Sequence, residues 1–203
     1  MKTGKMLTFI SAVLLTTALA AGEISPPAKD GKDVLSVIHS RKSVRTYLDK
    51  PVTQEQWEVL LRAGMAAPTA ADRRPWAFVV VTKKETLNAM ADTLKYGKML
   101  KNAGGAIVVF GLKERFLKGQ DAEMWVQDCS AATENILLAA EGIGLGTVWL
   151  GVYPVKERMD AIAKIVGAPE NALVLNVISV GWPGGDEKPL DKYNASRVHW
   201  EKW

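Results

Sequence analysis

Four short apolar runs constrain the fold of this chain more than any other feature. They span residues 77–82, 106–112, 147–152 and 173–180, are rich in valine, isoleucine and aromatic residues, and are bounded by glycine, proline or charged residues. Such runs are typical of buried β-strands. Helical patterns lie between them at 84–95, 121–143 and 155–166. The alternation predicts an α/β or α+β domain.

A further helix is predicted from its start signal. Thr53 and Gln56 form a Thr-x-x-Gln capping box, and Val52 and Trp57 occupy the flanking staple positions. One face of the helix would then present Trp57, Leu60, Leu61 and Gly64.

The helical pattern at 121–143 is unusual because residues 129–143 are apolar on nearly every side. A helix that is apolar all round needs two packing partners. One partner can be the sheet of the same subunit. The second can be a second subunit or another part of the same chain, and periodicity alone does not choose between them.

The first twenty residues have the pattern of a secretory signal. Lys2 and Lys5 precede an uncharged run at 6–22, and Ala18-Leu19-Ala20 supplies the small residues that a signal peptidase needs. Cleavage after Ala20 is expected, with 21–32 a flexible tether, 33–203 the folded domain and the location periplasmic or secreted. An uncleaved membrane anchor is the less favoured alternative, because the run is short and weakly apolar for a span of about 20 residues. No stable membrane anchor is expected after cleavage.

Composition excludes several kinds of partner and chemistry. The net charge of +4 is too small to indicate a nucleic-acid partner. The single cysteine, Cys129, excludes an intramolecular disulfide framework. The two histidines, His39 and His199, are far apart and share no metal-ligand spacing, so no metal site is predicted. Cys129 is expected to be an inert buried thiol. No catalytic side chain is predicted, so the reactivity of an enzyme would come from a bound cofactor.

Three segments could bind a ligand. Residues 41–45, Arg-Lys-Ser-Val-Arg, would suit a phosphate, although such a basic run also occurs as a solvated surface patch. Residues 68–76 form a polar turn that enters the first strand, either as a functional loop or as a mere connector. The glycines at 142–151 end a helix and lead into a strand, which is the reverse of a dinucleotide fingerprint, so a Rossmann domain is not expected.

The order of these motifs carries a resemblance. Arg-x-Ser-x-Arg at 41–45 is followed by Ala-Pro-Thr-x-x-Asp-x-x-Pro-Trp at 67–76, Gly-x-Gly-x-x-Trp-Leu-Gly at 144–151 and a basic C-terminal segment. Across residues 33–203 the chain resembles the FMN-dependent nitroreductase family. The resemblance implies an α+β, three-layer sandwich with a mixed, mainly antiparallel sheet flanked by helices. It also implies an intertwined homodimer with one FMN at each end of the subunit interface.

The resemblance also assigns site residues by position. The phosphate, ribityl chain and pyrimidine edge of FMN would be bound by Arg41, Lys42, Ser43 and Arg45. The opposite subunit would flank the isoalloxazine with Pro68, Thr69 and Ala70. The backbone of Leu150 and Gly151 would lie against the flavin, Arg197 or Lys188 would meet the phosphate, and Lys98 is a further candidate for the pyrimidine. Asp72 stands where the family has Asn, which keeps a hydrogen-bond acceptor but loses an amide donor.

The function implied is an FMN-dependent oxidoreductase. It would transfer two electrons from NAD(P)H or another reductant to a nitroaromatic, quinone or enone acceptor by a ping-pong mechanism. The alternative is an exported carrier or store of FMN without turnover. A third possibility is flavin-assisted chemistry on a special substrate, such as reductive dehalogenation.

Overall fold

A four-stranded β-sheet runs through residues 33–203, the part of the chain that the computed structural model describes. The predicted signal and tether at 1–32 lie outside this range. The strands are β1 (Trp76–Val81), β2 (Gly105–Leu112), β3 (Gly146–Gly151) and β4 (Ala172–Gly181), in the order β1-β2-β4-β3. Each neighbouring pair is antiparallel, and a parallel bridge joins Ser43 to Thr147 of β3. All four predicted strands are confirmed.

Five α-helices surround this sheet. They are α1 (Val34–Ser40), α2 (Gln54–Met65), α3 (Lys84–Thr93), α4 (Met124–Gly142) and α5 (Lys156–Val166). The predicted capping box is present at the start of α2: the Gln56 N–H donates to Thr53 Oγ1 at 3.3 Å, and the Thr53 N–H donates to Gln56 Oε1 at 3.0 Å. These reciprocal bonds satisfy two backbone donors that a helix start leaves unpaired.

The two faces of the sheet bury different helices, because successive side chains of a strand point to opposite faces. On β2, Ala106, Val108 and Phe110 belong to the core shared with α3 and α5, whereas Ile107 and Val109 belong to the core shared with α2 and α4. The fold is therefore a three-layer α+β sandwich, as predicted.

Helix α4 lies between the sheet and α2. Gly64 of α2 is so close to α4 that a Cβ on it would stand 2.9 Å from Ile136 Cδ1. The Asn135 side-chain amide also donates to the Ala63 carbonyl at 3.0 Å. The second partner of this apolar helix is thus supplied by the same chain.

The segment that follows β4 carries many exposed apolar side chains. Tyr193 is 76% exposed, Trp200 84% and Trp203 98%. Val34 and Leu35 of α1 are 71% and 62% exposed. Exposed apolar side chains mark an interaction site when they form a patch. Within residues 33–203, no helix has both the length and the apolar character needed to cross a membrane.

Candidate functional site

The basic segment at 41–45 lies directly on β3. The Val44 N–H donates to the Thr147 carbonyl at 2.9 Å, beside the parallel bridge between Ser43 and Thr147. A Cβ on Gly146 would stand 2.7 Å from Val44 Cβ, so only glycine permits this approach. The glycine at the start of β3 therefore fixes the position of the basic segment.

Arg41 and Lys42 face α4 rather than open solvent. Arg41 Nε lies 3.5 Å from Glu134 Oε1, and Lys42 Nζ lies 3.5 Å from the buried carboxylate of Glu141. The Ser40 hydroxyl donates to the same carboxylate at 2.8 Å. Glu134 and Glu141 are seven positions apart, so they lie two turns apart on one helix face. The cations of the predicted phosphate clamp are thus oriented by carboxylates of α4.

Arg45 and the end of β3 meet in one cleft of about 220 Å³. The structure brings together three of the predicted site residues here, Arg45, Leu150 and Gly151. The complete lining is Arg45, Leu94, Lys95, Tyr96, Val148, Trp149, Leu150, Gly151 and Arg158, and it includes no acidic side chain.

Sequence reasoning missed the other six residues of this cleft, among which Lys95, Tyr96 and Arg158 have a charged or hydroxyl-bearing side chain that can bind a ligand through hydrogen bonds. It selected Lys98 instead, which begins the 3-10 turn Lys98–Asn102 and is not part of the lining. Lys95 and Tyr96 could have been recognised from the sequence because the helical pattern breaks immediately before Gly97, which predicts a loop there.

Gly151 leaves open space at the wall of the cleft. A Cβ built on this residue would meet no atom within 4 Å. The exposed backbone at the end of β3 can therefore be approached by a flat ring, and the cations around it suit a ring system with electron-rich oxygens or an anionic tail. This donor set fits a flavin mononucleotide.

The loop before β1 has a strained backbone. Ala71, Asp72 and Arg74 have φ values of 48°, 50° and 48°, in the left-handed region that non-glycine residues rarely adopt. Each such residue costs of order 1–3 kcal/mol and persists only where the surroundings hold it. Strain of this kind clusters at ligand-binding sites.

Polar contacts hold this loop in place. The Ala70 N–H donates to Asp128 Oδ1 of α4 at 2.8 Å, and the Arg74 N–H donates to Thr69 Oγ1 at 3.0 Å. The Arg74 guanidinium donates two bonds of 2.7 Å to the Asp72 carboxylate, and these bonds lower the pKa of Asp72. In the single chain, the acceptor oxygens of Asp72 are therefore engaged by Arg74.

The loop and the basic segment are anchored at opposite ends of α4. Asp128 holds the loop and Glu141 holds Lys42, thirteen positions further along the helix. At a rise of 1.5 Å per residue, this separation is about 20 Å. One chain consequently does not bring the loop residues 68–72 together with the basic segment.

The C-terminal segment contacts the basic segment through Glu187. Its carboxylate accepts the N–H of Arg45 at 2.9 Å and the N–H of Thr46 at 3.2 Å. The bond from Arg45 is the main reason that the pKa of Glu187 is lowered. Lys188 follows directly and is exposed, and Arg197 ends the exposed 3-10 turn Ala195–Arg197. Neither cation forms an ion pair with another residue in the described part of the chain.

Cys129 is fully buried in α4, as predicted for an inert thiol. Its Sγ lies 3.5 Å from the Phe110 carbonyl oxygen, and burial raises its pKa to about 12. In residues 33–203 there is no group of three or more His, Cys, Asp or Glu side chains that could hold a metal ion.

The structure combines a three-layer sandwich with a cation-lined cleft at the end of β3. Comparison with known proteins identifies the family that has this fold. The chain matches the model of the nitroreductase family over residues 38–96 and 89–182. It belongs to the nitroreductase family.

Three relatives illustrate this membership. An Archaeoglobus fulgidus protein, provisionally named NADH dehydrogenase/NAD(P)H nitroreductase, is 47% identical over 176 residues, which cover 85% of this chain and 99% of the relative. A crystal structure of a Parabacteroides distasonis protein with the same provisional name has a TM-score of 0.79 and 45% identity, covering 84% of this chain and 98% of the other. An FMN-dependent nitroreductase of Clostridium difficile has a TM-score of 0.76 and 28% identity, covering 83% and 99%.

Proposed function

We propose that this protein is an FMN-dependent oxidoreductase that takes two electrons from NAD(P)H. The observation that carries the proposal is the cleft at the end of β3, where Arg45 meets the open backbone of Leu150 and Gly151. Family membership supports it, because relatives include proteins named as NAD(P)H nitroreductases and FMN reductases. When bound, FMN supplies the redox chemistry that no side-chain group of this chain provides.

The side chains of this protein bind and orient the cofactor. Arg41, Lys42 and Ser43 bind its phosphate and ribityl chain, and Arg197 or Lys188 adds a second cation to the phosphate. Arg45 would hold the pyrimidine edge of the cofactor through its positive charge. The backbone of Leu150 and Gly151 lies against the ring, since Gly151 has no side chain to keep it away.

Glu134 and Glu141 keep the clamp in position before the cofactor arrives. Their carboxylates hold Arg41 and Lys42 against α4, which reduces the side-chain freedom lost on binding.

The acceptor is a small electron-poor molecule, namely a nitroaromatic, a quinone or an enone. In the proposed ping-pong order, the donor leaves before the acceptor enters. Parallel lines in double-reciprocal plots at several acceptor concentrations are expected, and intersecting lines would refute this order.

We also propose that the working unit is a homodimer whose two chains share each site. Three features support this. The cleft of about 220 Å³ is below the roughly 300–1,000 Å³ typical of ligand pockets. The loop that holds Pro68, Thr69 and Ala70 is about 20 Å from the basic segment along α4. The segment after β4 and α1 expose large apolar side chains. Light scattering should report twice the mass of one chain, and a monomer that retains FMN would refute the proposal.

Export through residues 1–20 remains a proposal that rests on the signal-like sequence. N-terminal sequencing of protein from the cell envelope should begin at or within two residues of Ala21. Recovery of a membrane-bound chain that begins at Met1 would refute it.

The experiment that tests the main proposal is spectroscopic. The purified, FMN-loaded protein should be yellow, lose its visible absorbance with NADPH, and recover it when menadione or nitrofurazone is added. A protein that binds FMN but stays oxidised with NADPH and NADH would instead be a carrier of FMN without turnover.

A further inference from the structure

The cleft at the end of β3 holds more positive charge than the cofactor assignment uses. Of the cations that line the cleft, the cofactor assignment uses only Arg45, whereas Lys95 and Arg158 line it as well. Lys95 follows the end of α3, and Arg158 lies in the first turn of α5. Two separate elements thus bring one further cation each to the same space.

These two cations are not neutralised within the described residues. Neither forms an ion pair, and Lys95 Nζ lies 5.3 Å from the centroid of the Tyr96 ring. The nearby Glu187 carboxylate accepts the backbone N–H groups of Arg45 and Thr46 and does not line the cleft. The cleft therefore favours an anionic ligand over a neutral one of the same shape.

The remaining walls are apolar. Leu94, Val148 and Leu150 line the cleft together with the ring of Tyr96. Apolar walls with a few charged groups at one side bind a small molecule that is itself apolar with one charged end.

We propose that Lys95 and Arg158 form a subsite for the carboxylate of a small aromatic or conjugated acceptor. The inference rests on the proposed function and specifies the substrate class: electron-poor acids are preferred over the corresponding neutral amides. In this arrangement the carboxylate contacts Lys95 and Arg158.

The kinetic test compares 4-nitrobenzoate with 4-nitrobenzamide, which differ in charge but little in shape. The measured quantity is the ratio of their kcat/KM values, because differences in intrinsic reactivity cancel when one ratio is compared between variants. An exposed charge pair is worth up to about 1 kcal/mol, so Arg158→Gln and Lys95→Gln should each lower the acid preference by up to about fivefold. Raising the salt concentration should lower the preference of the wild type as well.

Lys164→Gln is the matched control. Lys164 is an exposed cation in the last turn of the same helix and does not line the cleft. Its replacement removes the same charge and should leave the ratio at the wild-type value. Melting curves of the variants identify any loss of folding, and two independent cleft variants keep the test decisive if one does not fold. A ratio that changes less than twofold in both cleft variants, or equally in Lys164→Gln, overturns the proposal.

A binding measurement separates this inference from the proposed function. Benzoate and benzamide undergo no reduction, and their dissociation constants can be measured by calorimetry with and without FMN. Tighter binding of benzoate to the FMN-loaded protein, weakened in Arg158→Gln and Lys95→Gln, supports the subsite even if NADPH gives no turnover. Binding of benzoate to the FMN-free protein alone, with displacement by FMN, would assign these cations to the cofactor and overturn the subsite.

Discussion

Replacing Gly151 by valine should weaken cofactor binding without harming the fold. Gly151 is the last residue of β3, its φ lies outside the left-handed region, and a Cβ would meet no atom within 4 Å. Valine is favoured in strands, and loss of a glycine reduces the entropy of the unfolded chain. The FMN-free protein should therefore keep its stability or gain about 0.4–1 kcal/mol.

The effect on the cofactor follows from the same open space. The valine side chain occupies the volume through which a flat ring approaches the backbone, so the ring is displaced by 1 Å or more. About ten atom contacts of about 0.15 kcal/mol each would then lose roughly half of their energy, which is about 0.8 kcal/mol before any clash is added. FMN affinity should fall about three- to fourfold from this loss alone, and a clash would weaken it further.

The assay is a fluorescence-quenching titration with FMN, combined with thermal melting of the FMN-free protein. Gly146→Ala is the contrasting variant, because its Cβ would meet three carbons of the buried Val44 side chain at 2.7–2.8 Å. It should destabilise the FMN-free fold by about 1–3 kcal/mol. Unchanged FMN affinity in Gly151→Val would refute the assignment of the β3 end to the cofactor.

Three further predictions concern the clamp, the C-terminal segment and the thiol. Arg41→Ala and Arg197→Ala should each weaken FMN binding about ten- to a hundredfold, while melting of the FMN-free protein changes by less than about 1 kcal/mol; a lowered melting point with unchanged affinity would mean a structural role. Because the pKa of Glu187 is lowered in the folded state, its carboxylate stabilises that state at pH values above its ordinary pKa of 4.5. This stabilisation is lost as the pH falls through the lower pKa of the folded state. The protection factors of the Arg45 and Thr46 amides against hydrogen exchange should therefore fall at acid pH, and Glu187→Gln should remove that dependence. Cys129 should not react with Ellman's reagent at pH 8 until the protein unfolds, because a pKa of about 12 leaves about one thiol in ten thousand ionised; rapid labelling of the folded protein would contradict its burial.

The elements of the fold could be predicted because their signals are local. Each strand is a continuous apolar run, and α2 begins at a capping box whose two bonds join Thr53 and Gln56. The order of the strands could not be derived from periodicity, since it depends on which runs pair over long distances. The family resemblance implied a mixed, mainly antiparallel sheet but no strand order.

The site was only partly predictable for a related reason. Arg45, Leu150 and Gly151 lie in recognisable motifs, and the structure brings them together. Lys95 and Arg158 follow or begin ordinary helices, where a cation has no distinguishing neighbours in the sequence. Only the packing of α3 and α5 on the same face of the sheet places them in one cleft.

The anchoring of two ligand-binding segments on one helix has a consequence for communication between sites. Asp128 near the start of α4 holds the strained loop, and Glu134 and Glu141 further along hold the basic clamp. In the proposed dimer, the loop serves one FMN and the clamp serves the other, so each α4 helix holds residues of both cofactor sites. A shift of this helix when the first cofactor binds would change the second site, and the two cofactors would then bind with unequal affinities.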